Sequence, residues 1–178
     1  RPRPDDYQIK QAADLIKKSK NPIIISGGGI FYSDAMKELS QFAKKHNIPT
    51  AQTVMGYSTM KKDDPYFLGA IGGFGGKAPN DFMKKTDLAI AIGTKLADFT
   101  TGSWTNFENP NFKLVSINVS RFDANKHMAQ SIVGDAKVSI QDLTVALGSW
   151  KASDDWYKKS RSAVTVSYTH LRAHETQR

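Results

Sequence analysis

Three consecutive glycines, Gly27, Gly28 and Gly29, are the residues of this sequence best placed to approach a phosphate. They follow an isoleucine run at residues 23–25 and precede a helix-compatible stretch, and many α/β folds bind a pyrophosphate at such a turn. In a G-x-G-x-x-G frame that starts at Gly27, however, the third glycine position is occupied by Tyr32. The pattern therefore favours a tight structural turn over a dinucleotide site.

Four polar residues follow later apolar runs of the chain, namely Asp98, Asp123, Lys126 and His127. Open α/β sheets bind ligands beyond the carboxyl ends of their strands, which is where these residues are expected. No complete set of acid, base and nucleophile is visible among them. We expect them to order loops.

Two further residues have structural interpretations. Asp135 stands directly before a helical stretch and is expected to be its N-cap. His46 is expected to close the end of another helix. The second strand, predicted for residues 50–54, ends without the carboxylate that would hold a ribose.

The order of apolar runs and helical stretches predicts an α/β domain with a Rossmann-like open parallel sheet and helices on both faces. Residues 55–76 are expected to be irregular, and residues 94–112 are expected to form a second long connection. The predicted strands are centred on 23–25, 50–54, 87–92, 113–119 and 131–133, and the predicted helices are 5–20, 33–46 with Ser33 or Asp34 as cap, 78–85 and 136–147.

Composition restricts the class of protein. The net charge is +8, but it comes mostly from lysine pairs spread over several elements, which predicts solvated helix faces and no nucleic-acid partner. No apolar run is long enough to cross a membrane, and the first residues lack the apolar run of a signal peptide. The chain contains no cysteine, which fits a cytoplasmic protein.

The 178 residues predict one folded domain over residues 1–150. Residues 151–166 are polar and are expected to be an inter-domain linker. Residues 167–178 have no apolar period and resemble translated adapter sequence, so they are interpreted as a non-native tail. His170 and His174 in that tail are therefore not offered as metal ligands.

Several segments together resemble the central domain of thiamine-diphosphate-dependent enzymes such as acetolactate synthase, over about residues 8–148. Residues 96–104 and 116–127 are most similar to the trihydroxycyclohexane-dione hydrolases of myo-inositol breakdown. Acetolactate synthases carry an arginine-rich segment where this chain has residues 93–96. The segments that carry the wider resemblance are residues 22–29, 42–50, 68–72, 87–94 and 133–136.

The resemblance implies a subunit of three domains, of which this is the middle one. The catalytic glutamate would lie in the first domain, and a Gly-Asp-Gly motif for Mg²⁺ and the diphosphate in the third. Gly134, Asp135 and Ala136 do not match that motif. The fragment alone should be inactive, whereas the full enzyme would add water across a C–C bond and open the ring of the dione.

Two alternatives stay open at this point. The chain could be the middle domain of an acetolactate synthase or another 2-keto acid lyase, or a stand-alone nucleotide-binding module. The resemblance further implies a homodimer or homotetramer.

In some relatives the middle domain holds FAD or ADP along the glycine turn and the loops after the third and fourth predicted strands. We expect a structural role for the corresponding positions, because Lys95 departs from the family's pattern. These positions are Gly27, Gly28, Gly29, Gly93, Thr94, Lys95, Asn118 and Asp123.

Overall fold

The computed structural model describes residues 1–175, and the side chains of residues 1–165. Its centre is one six-stranded sheet in which every neighbouring pair of strands is parallel. The strand order is β3-β2-β1-β4-β5-β6. The strands are β1 (Pro22–Ser26), β2 (Thr50–Gln52), β3 (Phe67–Ala70), β4 (Leu88–Ile92), β5 (Lys113–Asn118) and β6 (Gln130–Val133).

Helices cover both faces of this sheet, which confirms the predicted fold class. Short 3₁₀ turns at Val54–Gly56 and Lys126–Met128 complete the connections. Among the described residues, no helix combines the length and apolar content needed to cross a bilayer. The helices are α1 (Asp6–Lys18), α2 (Gly29–Tyr32), α3 (Met36–His46), α4 (Lys77–Met83), α5 (Asp98–Thr101), α6 (Arg121–Ala124), α7 (Ala136–Leu147) and α8 (Asp154–Glu175).

The isoleucine run of β1 divides the core between the two faces. Ile24 packs into the core layer that lies under α1, α3 and α7. Ile23 and Ile25 pack into the opposite layer, together with residues of α4 and α8. All three side chains are fully buried, as expected for a central strand whose side chains alternate between two covered faces.

The predicted helix 33–46 is wrong at its start. The structure has a one-turn helix, α2, and then starts α3 at Met36. The Ser33 hydroxyl donates to Asp135 at 2.8 Å and accepts from the Ala136 N–H at 3.3 Å instead of capping α3, and Asp34 has a φ of 50°. A tertiary hydrogen bond has replaced the local cap, which the sequence pattern alone does not reveal.

The predicted irregular segment 55–76 contains a strand that the sequence analysis missed. Phe67–Ala70 forms β3 and pairs in parallel with β2, with a register shift at Thr50 and Ala51. Gly69 has a φ of +114°, and the strand is only four residues long. A short edge strand that contains glycine has too little apolar pattern to stand out from a loop.

Residues of the predicted linker 151–166 form the first part of α8, which packs against α4 and β3. Ser153 accepts a hydrogen bond from the Trp156 backbone N–H and so caps the helix. The Trp156 side chain is buried, stacks on Phe82 with ring centroids 4.1 Å apart, and donates from Nε1 to the Pro22 carbonyl at 2.8 Å. This segment therefore completes the second helical layer, whatever follows it in a longer chain.

The predicted non-native tail, residues 167–178, begins within the backbone of α8. Its side chains, including those of His170 and His174, lie outside the described residues, so its interpretation stays a prediction.

Replacing Trp156 tests whether α8 belongs to the folded unit. Trp156→Ala should lower the free energy of unfolding by about 3–5 kcal/mol, because it removes a buried aromatic side chain. Trp156→Phe should cost about 1–2 kcal/mol, since the Pro22 carbonyl loses its donor. Urea denaturation followed by circular dichroism measures both. As a control, the exposed Lys159→Ala should cost less than about 1 kcal/mol; equal effects would show that α8 is not anchored.

His46, the last residue of α3, is buried beside Trp150. Its Nδ1 lies 2.8 Å from the Trp150 carbonyl oxygen, so Nδ1 carries the proton and donates. Nε2 is buried without a partner among the described residues. Burial lowers the pKa of His46, against the opposing effect of the Trp150 carbonyl. The neutral imidazole is therefore the form that suits the fold.

Acid should weaken the fold through His46. Because its pKa is lower in the folded than in the unfolded chain, its contribution to stability is complete above the unfolded value of about 6.5 and is lost as pH falls below it. The free energy of unfolding should therefore decline between pH 7 and pH 5. His46→Gln should flatten that decline more than His127→Asn does, because the His46 side chain is fully buried whereas His127, whose pKa is also lowered, is exposed. An unchanged slope in His46→Gln would contradict this assignment.

Candidate functional site

The predicted site residues lie at the carboxyl edge of three adjacent strands, β1, β4 and β5. The chain order reverses between β1 and β4, so this is the switch point where open α/β sheets form a crevice. Gly27, Gly28 and Gly29 follow β1, residues 93–95 follow β4, and Asn118 ends β5. The structure thus brings the predicted positions to one edge.

The glycine turn after β1 is packed against the turn after β4. The Gly29 N–H donates to the Gly93 carbonyl at 2.9 Å, and the Gly27 N–H donates to the Ile92 carbonyl at the same distance. A Cβ on Gly29 would lie 2.5 Å from the Gly93 Cα, and a Cβ on Gly27 would lie 2.4 Å from the Gly93 oxygen. Gly93 itself has a φ of +63°. Neither turn has room for a side chain, because each occupies the other's space.

Gly28, the middle glycine, faces the loop after β2. A Cβ built on Gly28 would lie 3.0 Å from the Met55 carbonyl oxygen. In a dinucleotide site the corresponding glycine leaves open space for the pyrophosphate. Here the backbone of the neighbouring loop lies beside it.

Thr94 and Asn118 join the turns after β4 and β5. Thr94 accepts a hydrogen bond from the Leu96 N–H at its Oγ1, at 3.2 Å. The Asn118 side-chain amide donates to the Thr94 carbonyl at 3.3 Å, and its oxygen accepts from the Ser120 N–H at 3.0 Å. Both side chains are thus used within the fold. Lys95, between them, is exposed.

Asp123 belongs to α6, where it is held by the chain itself. Lys126 Nζ donates to Asp123 Oδ1 at 2.7 Å, and the Asp123 N–H donates to the Ser120 hydroxyl at 3.3 Å. The hydrogen bond from Lys126 lowers the pKa of Asp123, and Lys95 adds to the effect. The carboxylate is ionised and paired, as a loop-ordering residue would be.

His127 packs on an aromatic ring. Its ring centroid lies 4.2 Å from that of Trp104, and both residues have positive φ values, 60° and 69°. Burial and the charge of Lys126 lower the pKa of His127, opposed by Asp98. Hydrogen bonds among the described residues do not join His127 to Asp98 or Asp123, so no charge-relay arrangement is formed here.

Asp135 is the N-cap of α7, as predicted. Its Oδ1 accepts from the N–H groups of Lys137 and Val138, and its Oδ2 accepts from the Ser33 hydroxyl and the Arg1 guanidinium. Burial raises the pKa of Asp135, but these hydrogen bonds together hold it below the usual value. Both carboxylate oxygens of Asp135 therefore accept hydrogen bonds from other groups of the chain.

One polar group at this edge escaped the sequence analysis. Gln52, the last residue of β2, is 5% exposed, and its Oε1 is buried without a partner among the described residues. The sequence signal that could have identified Gln52 is the presence of a glutamine within a predicted buried strand. Met55, which borders Gly28, was also missed, because a methionine in a predicted loop carries no motif.

The arrangement offers little direct chemistry. Among the described residues, no three His, Asp or Glu side chains are grouped so that they could hold a metal ion. Asp123 and Asp135 accept hydrogen bonds from the chain itself and His127 packs on Trp104, whereas Asp98 and Lys95 are exposed. The contacts of the predicted site residues shown above are with other parts of the chain itself.

Comparison with known proteins assigns the family. Residues 9–143 match the model described as the central domain of thiamine pyrophosphate enzymes. Three curated relatives share the printed name 3D-(3,5/4)-trihydroxycyclohexane-1,2-dione hydrolase, the last with the suffix 1. The proteins from Clostridium perfringens strain 13, Clostridium botulinum strain Alaska E43 and Bacillus cereus strain ZK are 44%, 44% and 41% identical to the chain over 147, 143 and 140 residues.

These alignments cover 83%, 80% and 79% of this chain. They cover only 23%, 22% and 22% of the relatives, so the chain spans less than a quarter of their length. The matched region contains the sheet, the glycine turn and the loops at the carboxyl edge. The chain belongs to the thiamine pyrophosphate enzyme family, as its central domain.

Proposed function

We propose that this chain is the central scaffold domain of a longer enzyme that hydrolyses a C–C bond of trihydroxycyclohexane-1,2-dione and opens its ring. The observation that carries the proposal is the identity of 41–44% to proteins named for that activity. The alignments extend over 140–147 residues and include the loops at the carboxyl edge. No comparable observation favours a 2-keto acid lyase or a stand-alone module.

The chemistry itself belongs to domains outside this chain. Thiamine diphosphate, when bound, supplies a carbon nucleophile and an electron sink. The described residues do not offer a grouped set of ligands for the Mg²⁺ that would accompany it. Asp135 is engaged by four donors, which supports a structural role over metal binding.

The role of this chain's residues at the edge is then to hold geometry. The contact between Gly29 and Gly93 keeps the turns after β1 and β4 together. The hydrogen bond from the Asn118 side chain to the Thr94 carbonyl links the turn after β5 to the turn after β4. The fit to FAD or ADP is poor, because the faces of Gly27, Gly28 and Gly29 are all met by the chain's own atoms. A structural role for the eight predicted positions is the better account.

Assembly and location follow from the same proposal. The flanking domains of the longer polypeptide are the first partners of this chain, and the complete enzyme is proposed to form a homodimer or homotetramer. The proposed location is the cytoplasm, which agrees with the lack of cysteine in these 178 residues.

The activity is tested on the full-length protein that contains this sequence, supplied with thiamine diphosphate and Mg²⁺. Ring opening of the dione should be catalysed, and acetolactate formation from pyruvate should not exceed background. The 178-residue chain should be inactive with both substrates, since it lacks the cofactor-binding domains. Chromatography of the products separates the two reactions.

Acetolactate formation without ring opening would show that the longer enzyme is an acetolactate synthase and not the proposed hydrolase. Activity of the 178-residue chain alone would contradict the scaffold role. A full-length protein without the two flanking domains would reject the proposal as a whole.

The glycine turn is tested by calorimetric titration of the 178-residue chain with FAD, ADP and NAD. No saturable binding is expected at micromolar ligand, because the turn leaves no open cradle for a pyrophosphate. Micromolar binding that is weakened by Lys95→Ala, and unaffected by Lys20→Ala at the opposite edge of the sheet, would instead place a nucleotide at this edge.

A further inference from the structure

The carboxyl edge of the sheet carries much of the exposed apolar surface of the described chain. Six large hydrophobic side chains there are 61–90% exposed. We call them the carboxyl-edge patch. They are Tyr32, Met55, Tyr57, Phe74, Val119 and Phe122.

The patch residues follow different strands. Tyr32 follows β1, Met55 and Tyr57 follow β2, Phe74 follows β3, and Val119 and Phe122 follow β5. The half-exposed Phe99, after β4, fills the remaining place, with its ring centroid 4.8 Å from that of Phe74. The exposed rings therefore extend along the edge over five neighbouring strands. Exposed apolar surface of this extent usually marks an interaction site.

The opposite, amino edge is treated differently. There the chain covers its own surface with residues 150–156. His46 donates to the Trp150 carbonyl, Asn47 donates to the Ala152 carbonyl at 3.1 Å, and Trp156 donates to Pro22. His46 and Trp156 are thus buried at this edge, whereas the described residues leave the aromatic side chains of the patch exposed.

The N-terminus of the chain lies on the uncovered side. The Asp135 N–H, just beyond the carboxyl end of β6, donates to the Pro2 carbonyl at 2.8 Å. Arg1 pairs with Asp135 at 2.9 Å, and Arg3 pairs with Asp142 at 2.8 Å. These contacts fix residues 1–3 beside the carboxyl edge. Polypeptide that precedes residue 1 in a longer protein would therefore enter at the same edge as the patch.

We propose that the carboxyl-edge patch is the docking surface for the domain that precedes this one in the longer polypeptide. The inference rests on the proposed place of the chain within a longer enzyme, and the relatives have more than three-quarters of their length outside the matched region. The exposed Lys95 and Arg121 flank the patch. The exposed Asp34 and Asp98 lie beside it as well, so the facing surface should combine apolar side chains with charged groups of both signs.

The test uses single cysteines, because the chain has none of its own. Tyr32→Cys and Phe122→Cys report on the patch. Val145→Cys near the end of α7 and Lys18→Cys at the end of α1 are matched controls, since both side chains are exposed and lie towards the amino edge. Each variant is made in the 178-residue chain and in the full-length protein, and its rate of maleimide labelling is measured by peptide mass spectrometry.

All four positions should label at similar rates in the 178-residue chain. In the full-length protein, Cys at positions 32 and 122 should label at least about tenfold more slowly, because modification would require the docked domain to open. The control positions should change by less than about twofold. Unchanged melting temperatures would establish that the variants fold.

Equal labelling of patch and control positions in the full-length protein would overturn the proposal. Protection that appears in the 178-residue chain as its concentration rises would assign the patch to a second copy instead. Protection of that chain by added FAD or ADP would assign it to a ligand. The readout does not depend on catalysis, so expected labelling in a protein that fails to open the dione would reject the substrate and leave the docking surface standing.

Discussion

The close approach of two backbone turns, at Gly29 and Gly93, is the contact on which the rest of the carboxyl edge depends. β1 and β4 pair along their whole length, and the turns that follow them touch without any side chain between them. Gly93 also donates to the Ile117 carbonyl, so the contact continues into β5. Side chains at these positions would separate the turns and displace the loops that leave the sheet here.

This contact explains why a glycine-rich turn need not be a ligand site. The same residue type that allows a phosphate to approach also allows another backbone to approach. In this chain the second use is realised, with Gly93 beside Gly27 and Gly29 and with Met55 beside Gly28. The loops are thereby held in place while their larger side chains point outward.

The two edges of the sheet have different roles. At the amino edge Trp156 and His46 are buried, so the contacts at this edge contribute to the stability of the domain. At the carboxyl edge the aromatic side chains remain exposed, beside the point at which the chain begins. The exposed patch at the carboxyl edge is the basis for the proposed docking of a neighbouring domain there.

The amino-acid sequence by itself determined the α/β class, five of the six strands and the N-cap at Asp135, because buried isoleucine runs, glycine turns and capping residues are local signals. It also placed the candidate residues at one edge, since the carboxyl ends of parallel strands meet there. Only the tertiary structure decided which atoms those residues contact. Whether Gly28 faces a ligand or Met55, whether Ser33 caps α3 or bonds to Asp135, and whether residues 151–165 form a linker segment or a packed helix all depend on partners distant in sequence. Such contacts depend on how complete elements pack against one another, and no local pattern records them.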